Sequence, residues 1–479
     1  MLFNSLHFVI FFPCVVLAYF FLPFRFRWIW LLVSSYYFYM VWNPVYALVI
    51  VLLTTIDYFA GLRMGAAQDK RQRKKYLLGS IAANLGLLFT FKYFNFFNAS
   101  LKTVFDWFGW SYQVPGFHLL LPLGISFHTF QALSYTIEVY RGNKEPERHF
   151  GKFALFIVFF PQLVAGPIER STSLLPQIHE RHSFDYDRVV NGLKLMFWGF
   201  FKKIVIADRL ADVVNTVYNN PHDYSGLSLI AATYFFAFQI YCDFSGYSDI
   251  AIGAAEVMGF KLMENFRQPY LSQSIAEFWR RWHISLSTWF RDYLYFPLGG
   301  NRVATGRWVF NIMTVFLISG LWHGANGTFV IWGGLHGIYM LGSRWTQDLR
   351  DRVAAALGLE RVPGLRGFLR TVITFHLVSF AWIFFRANTI DDAFYIVRNL
   401  FVNVQTNSKE IGLDSLEFSL VITLIIFLFA MDWRQTKGSI RAVLARQPFF
   451  LRWALYTAGS CALIALGVFT SNKFIYFQF

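Results

Sequence analysis

The chain has 479 residues, of which 56% are hydrophobic, 20% aromatic and only 15% charged, and its mean hydropathy is positive at +0.41. That balance excludes a soluble enzyme and predicts an all-α protein that crosses a membrane many times, as one domain over 1–479 with no polar block large enough to fold alone. A net charge of +15 would suggest nucleic acid in a soluble protein, but here the charge lies in short loops between apolar runs, which is the positive-inside pattern, so no nucleic acid partner is expected.

The first apolar run, 2–22, has no Lys or Arg ahead of it and no small-residue cleavage site behind it. It reads as a retained first helix with the N-terminus outside. Spans are expected near 28–42, 45–62, 76–97 and 117–140. The stretch 153–168 ends in Pro161-Gln162-Leu163-Val164-Ala165-Gly166-Pro167, and two prolines with a glycine cannot continue a helix at lipid-exposed depth, so it is expected to be re-entrant. Further spans follow near 189–206, 227–258, 308–323, 329–341, 372–385, 416–431 and 453–469, roughly a dozen in all. The charge-balanced segments 208–225 and 386–414 fall outside as loops. Four basic clusters, 70–75, 261–307, 344–370 and 434–452, are placed in the cytoplasm, where anionic membrane lipid attracts them. Cys14, Cys242 and Cys461 lie far apart inside apolar segments without metal-ligand spacing; they read as small buried side chains, with no disulfide and no metal. No internal repeat is evident, which weighs against a transporter built from inverted halves.

Between 263 and 298 the chain becomes rich in Trp and Arg, with Phe278-Trp279-Arg280-Arg281-Trp282-His283 followed by Ser285, Ser287, Trp289, Arg291 and Tyr295. At helical spacing Phe278, Trp282, Trp289 and Tyr293 share one side while Arg280, Ser287 and Arg291 share another. That is the profile of a helix in or under the cytoplasmic interface, and simple anchoring would explain it. His283, set between two tryptophans, asks for more.

A second histidine, His323, interrupts the apolar run 311–330 inside Ser-Gly-Leu-Trp-His-Gly-Ala-Asn. An ionisable group at bilayer depth costs roughly 2–3 kcal/mol, so one that persists there usually lines a cavity and works in it. Imidazole titrates near pH 6.5 and can accept a hydroxyl proton at neutral pH, which makes the pair candidates for proton transfer. His7, His118, His128, His336 and His376 read as structural residues, His336 least securely because Gly333-Gly334-Leu335-His336-Gly337 also lies in an apolar helix near His323. No His-Glu-x-x-His, phosphate-binding Gly-x-x-x-x-Gly-Lys or Gly-x-Ser-x-Gly occurs; Cys242-Asp243-Phe244-Ser245-Gly246-Tyr247 lacks the first glycine of the last. Neither histidine begins a His-x-x-x-x-Asp.

Four stretches carry a resemblance to a known family: the start Met1-Leu2-Phe3-Asn4-Ser5, the Pro161 to Ile168 run, the Phe278 to Ser287 run continuing to Pro297-Leu298-Gly299-Gly300-Asn301, and Gly320-Leu321-Trp322-His323-Gly324. They resemble the membrane-bound O-acyltransferase (MBOAT) family, and within it the branch that acetylates exported glycans such as alginate. The resemblance implies a fold of 11–13 transmembrane helices with re-entrant and interfacial helices around a central tunnel, in a bacterial inner membrane with the N-terminus periplasmic. It implies a cytoplasmic thioester donor, acetyl-CoA, and no permanently bound cofactor. His323 matches the family's catalytic histidine and would be the general base; His283 matches the second motif position and would place the donor or share the proton. Arg280, Arg281 and Arg291 could contact donor phosphates, although lipid phosphate explains them equally well. Trp282 and Trp322, with Trp279 and Trp289, could wall a narrow channel or simply pack. An extracytoplasmic acetyltransferase subunit and a polysaccharide biosynthesis complex are the implied partners. Two alternatives stay open: transfer of D-alanine or another small acyl group to a cell-envelope polymer, and a proton-coupled transporter or glycan export channel with no covalent chemistry.

Overall fold

The computed structural model describes residues 1–117, 119–402, 411–469 and 474–475, and among them every regular element is helical. His118 and part of the 386–414 segment lie outside the described residues. Among the described residues, six helices are long and apolar enough to cross a membrane: Pro44–Ala66, Lys70–Trp107, Leu227–Met258, Pro363–Arg386, Ser415–Thr436 and Phe449–Leu466. Helices of 16–19 residues occupy further expected positions at Leu6–Phe21, Phe24–Met40, Ile125–Arg141, Thr305–His323 and Gly327–Trp345. The expected span at 117–140 starts late, at Ile125, because Pro122 and a left-handed Gly124 precede it.

The chain packs as two compact units, Met1–Met196 with Ser248–Met263 and Phe197–Tyr247 with Glu264–Phe479. In the first, the expected break after Phe153 is present: helix Phe150–Val158 stops, and a four-residue turn, Phe160–Leu163, follows. The groups freed by the break are answered by side chains. The Phe156 carbonyl accepts from Gln131 and Gln162, and the Phe160 N–H donates to Ser35 Oγ at 3.0 Å. All of this is buried in protein, the condition under which irregular backbone is tolerated at membrane depth. The same unit holds an intramembrane carboxyl, Asp57, which accepts from Ser80 Oγ at 2.6 Å and from Asn84 Nδ2 at 3.0 Å. These bonds tie Pro44–Ala66 to the next helix with polar groups that have no water to turn to.

Three expectations are corrected. The segment 208–225 is not a loop, since Asp208–Asn219 is a helix whose Leu210, Val213, Val214 and Val217 recur at helical spacing and are buried. The 386–414 segment likewise contains a helix, Ile390–Asn399. Cys14 and Cys461 are exposed on their helices rather than buried; only Cys242 is internal.

In the second unit, Thr305–His323 and Gly327–Trp345 form an antiparallel pair joined by three residues. They approach until backbone meets backbone: a methyl at Gly320 would lie 2.3 Å from the Phe329 carbonyl oxygen, and one at Gly333 would lie 2.3 Å from that of Phe316. Only glycine permits this contact. Beyond it Trp308, Ile312, Phe316 and Leu341 bury together, with Trp279 and Tyr295 against them. Gly333→Leu is therefore expected to force the pair apart at a cost of about 1–3 kcal/mol or more. Thermal unfolding of the purified protein in detergent should show a melting temperature several degrees lower, whereas Gly342→Leu, where the added group meets open space, should melt with the wild type.

Candidate active site

The Trp- and Arg-rich segment is not the single helix its spacing predicts. Helix Ile275–Arg281, capped by Ser274, ends as Trp282 turns extended and His283 adopts φ +43° and ψ +55°. A second helix, Ile284–Phe290, then starts afresh. His283 and Gln268 are the non-glycine residues with left-handed backbone among those described, a conformation that costs roughly 1–2 kcal/mol for a residue with a Cβ. Pairing with an earlier strand of chain holds it: Arg267 N–H donates to the Arg281 carbonyl and Ile284 N–H to the Asn265 carbonyl, both at 2.9 Å. The expected faces survive the break, with Phe278, Trp282 and Trp289 buried and Arg280 and Arg291 exposed. After a π-helical turn, Arg291–Tyr295, the glycines Gly299 and Gly300 take φ of +107° and +59°. Asn311, buried within the next helix, donates to the carbonyls of Leu298 and Gly300 and so pins that turn.

His323 is the last residue of its helix, and Asn326 caps the next by accepting from Thr328 N–H. The tight return places His323, 3% exposed, facing His283, 0% exposed. Their ring centroids are 6.4 Å apart, so two histidines forty residues apart in sequence come within reach of one small group. Trp322 lies beside both, at 6.0 Å from His283 and 4.9 Å from His323. Phe244 meets His283 edge-on at 4.6 Å, while Trp332 and Phe385 meet His323 at 5.0 and 5.4 Å. Burial among these rings pushes the His283 pKa down to about 3. It is therefore neutral at physiological pH. Among the described residues no group of three His, Cys, Asp or Glu side chains is placed to hold a metal ion.

The remaining candidates divide. Arg281 is paired with Glu277 at 2.7 Å and Arg291 with Asp292 at 2.8 Å, whereas Arg280 is exposed. Trp282 is packed in the interior against Trp382, Phe266 and Phe278 rather than beside His323. His336 is fully buried and accepts from Trp279 Nε1 at 3.3 Å, and His376 bonds the Val372 carbonyl at 2.7 Å. Sequence reading missed Phe244, Trp332 and Phe385, and also the buried charges behind Phe244. There Lys203 Nζ sits 2.8 Å from Asp208 Oδ1 and 2.7 Å from Asp243 Oδ1, and Lys202 donates to Ser245 Oγ at 2.8 Å. The signal was a pair of lysines in an apolar run, with one acid five residues on and another directly before a later Phe-Ser-Gly. Removing one partner from such a cluster typically costs 3–5 kcal/mol, because a charge is left buried.

Residues 147–381 match the sequence signature described as "MBOAT, membrane-bound O-acyltransferase family". The chain is 41% identical to the Pseudomonas aeruginosa protein named "Probable alginate O-acetylase AlgI", over 84% of this chain and 75% of that one. It is 32% identical to the Helicobacter pylori "Peptidoglycan O-acetyltransferase", over 100% of this chain and 98% of the relative. A Bacillus subtilis "Teichoic acid D-alanyltransferase" is 30% identical over 57% of this chain and 70% of its own.

The bond from Trp279 Nε1 gives His336 a structural partner. His336→Phe preserves ring packing but leaves a buried Trp N–H without its acceptor, at about 1–3 kcal/mol. The variant is expected to melt lower yet retain acyl transfer within about tenfold of wild type. A loss of turnover beyond 100-fold at unchanged melting temperature would contradict the structural assignment.

Proposed function

The chain belongs to the membrane-bound O-acyltransferase family, and from that premise we propose that it moves acetyl groups from cytoplasmic acetyl-CoA across the bacterial inner membrane to an exported glycan, with His323 as general base. What carries the reading is the meeting of His283 and His323 at 6.4 Å inside a ring of aromatic side chains. An acceptor hydroxyl donates its proton to the His323 ring as its oxygen attacks the thioester carbonyl carbon. The carbon–sulfur bond then breaks, and the departing thiolate takes the proton from the imidazolium. His283, neutral throughout, orients the donor. The aromatic walls exclude water that would otherwise hydrolyse the thioester. Arg280, with Arg281 and Arg291 if they exchange their carboxylate partners, meets the donor phosphates; ion pairs that solvent partly reaches are weak enough to exchange.

The acceptor is a hydroxyl presented from the periplasmic side, and an extracytoplasmic acetyltransferase subunit passes the acetyl group from it to a sugar hydroxyl. Support for a glycan comes from relatives named for alginate and for peptidoglycan O-acetylation, the latter matching end to end. D-alanyl transfer is the second reading, favoured by a relative that aligns over 57% of the chain. Its donor would be a carrier-protein thioester instead of acetyl-CoA.

Purified protein incubated with radiolabelled acetyl-CoA should release CoA, and His323→Ala should lower the rate about 100-fold or more, the range typical of a lost general base, with the melting temperature kept. Acetyl-CoA left intact while D-alanyl carrier protein is consumed would favour the second reading. Vesicles that take up substrate with no thioester consumed would instead indicate a transporter.

A further inference from the structure

Helix Ile284–Phe290 begins without a cap of its own, because the position before its first residue is His283, whose side chain makes no capping bond. The first N–H groups of any helix lack partners inside it and are usually answered by Ser, Thr, Asp or Asn at that position. Here the answer comes from twenty residues earlier. The Asn265 carbonyl accepts from Ile284 N–H at 2.9 Å, while Asn265 Oδ1 accepts from Ser285 N–H at 3.2 Å and from Ser285 Oγ at 2.8 Å. Asn265 is 1% exposed and Ser285 0%, so no water competes for these bonds. On the other flank, Arg267 N–H holds the Arg281 carbonyl. Both sides of His283 are thus tied to one short piece of chain, and the residue between them is the one with left-handed backbone.

We propose that Asn265 is the positioning residue for His283: by capping the following helix from outside, it frees the cap position to carry an imidazole and holds that imidazole toward His323. The inference rests on the reading of His283 as a working residue. Asn265 itself touches no reacting atom. Its contribution is to the orientation of the donor, so its loss lowers turnover without weakening capture of acetyl-CoA from the cytoplasm.

The experiment compares Asn265→Ala, which deletes the side-chain acceptor, with Asn265→Asp, which retains one. Each is made in the wild-type full chain and in His283→Gly, a background that keeps the left-handed backbone unstrained and has no imidazole to place. Turnover and KM for radiolabelled acetyl-CoA are measured on purified protein alongside melting temperature. Asn265→Ala is expected to lower kcat at least tenfold with KM changed less than threefold, and Asn265→Asp to recover kcat to within threefold of wild type. In His283→Gly, Asn265→Ala should change kcat less than twofold. A kcat within twofold of wild type for Asn265→Ala, or an equal loss in both backgrounds, overturns the proposal. Should Asn265→Ala fail to fold, Ser285→Ala, which removes one bond and leaves the N–H cap, provides the same comparison: a threefold or larger kcat loss confined to the His283 background supports the proposal, and no loss or a loss in both overturns it. A fully active His283→Gly would defeat the underlying reading, whereas an inactive His283→Gly beside a fully active Asn265→Ala would defeat only the role of Asn265.

Discussion

The contact of Gly320 with Gly333 is the constraint from which the site is built. With a Cβ excluded on either side by a carbonyl 2.3 Å away, the helices Thr305–His323 and Gly327–Trp345 lie closer than side chains would allow. That closeness brings Trp332 onto the His323 ring at 5.0 Å, and one turn further on His336 receives the Trp279 N–H. The segment carrying His283 is thereby attached to the same helix pair that carries His323. In a bilayer, where apolar surface gains nothing by leaving lipid, such backbone contact and buried hydrogen bonds take over what hydrophobic burial does in water.

The two histidines meet inside one aromatic enclosure, reached from different backbone conformations. His283 lies in a strained turn, sealed by Phe244 and Trp322 and held neutral by burial. His323 is the last residue of its helix, followed by Gly324, and is ringed by Trp322, Trp332 and Phe385. The buried charges at Lys203, Asp208 and Asp243 lie behind this arrangement, Asp243 being the neighbour of Phe244, and they fix the part of the long helix Leu227–Met258 that closes over His283.

Much of this was legible in the residues. Apolar runs of spanning length located most helices, because hydrophobic length is a direct physical requirement of the bilayer. The Pro161 and Gly166 break was readable because proline cannot donate to a helix. His323 stood out because an imidazole is costly where it lies. The break at His283 was hidden, since no glycine or proline marks it and Asn265, whose carbonyl pairs with the Ile284 N–H, lies eighteen residues before His283. Helix Asp208–Asn219 reads as a loop by its balanced charge, although Leu210, Val213, Val214 and Val217 recur at helical spacing and are buried. Phe244, Trp332 and Phe385 could not be told from ordinary packing residues until the fold set them around the histidines.

A structure of the purified protein with a non-hydrolysable acetyl-CoA analogue bound bears most directly on whether His323 is the base. The acyl group is predicted to rest against the His323 ring, within direct or one-water hydrogen-bonding reach of the attacking oxygen's position, with the pantetheine arm running past His283 toward the cytoplasmic side. An analogue bound with its acyl group remote from both rings, and His323 walled off from it by Trp322 and Trp332, would contradict the assignment.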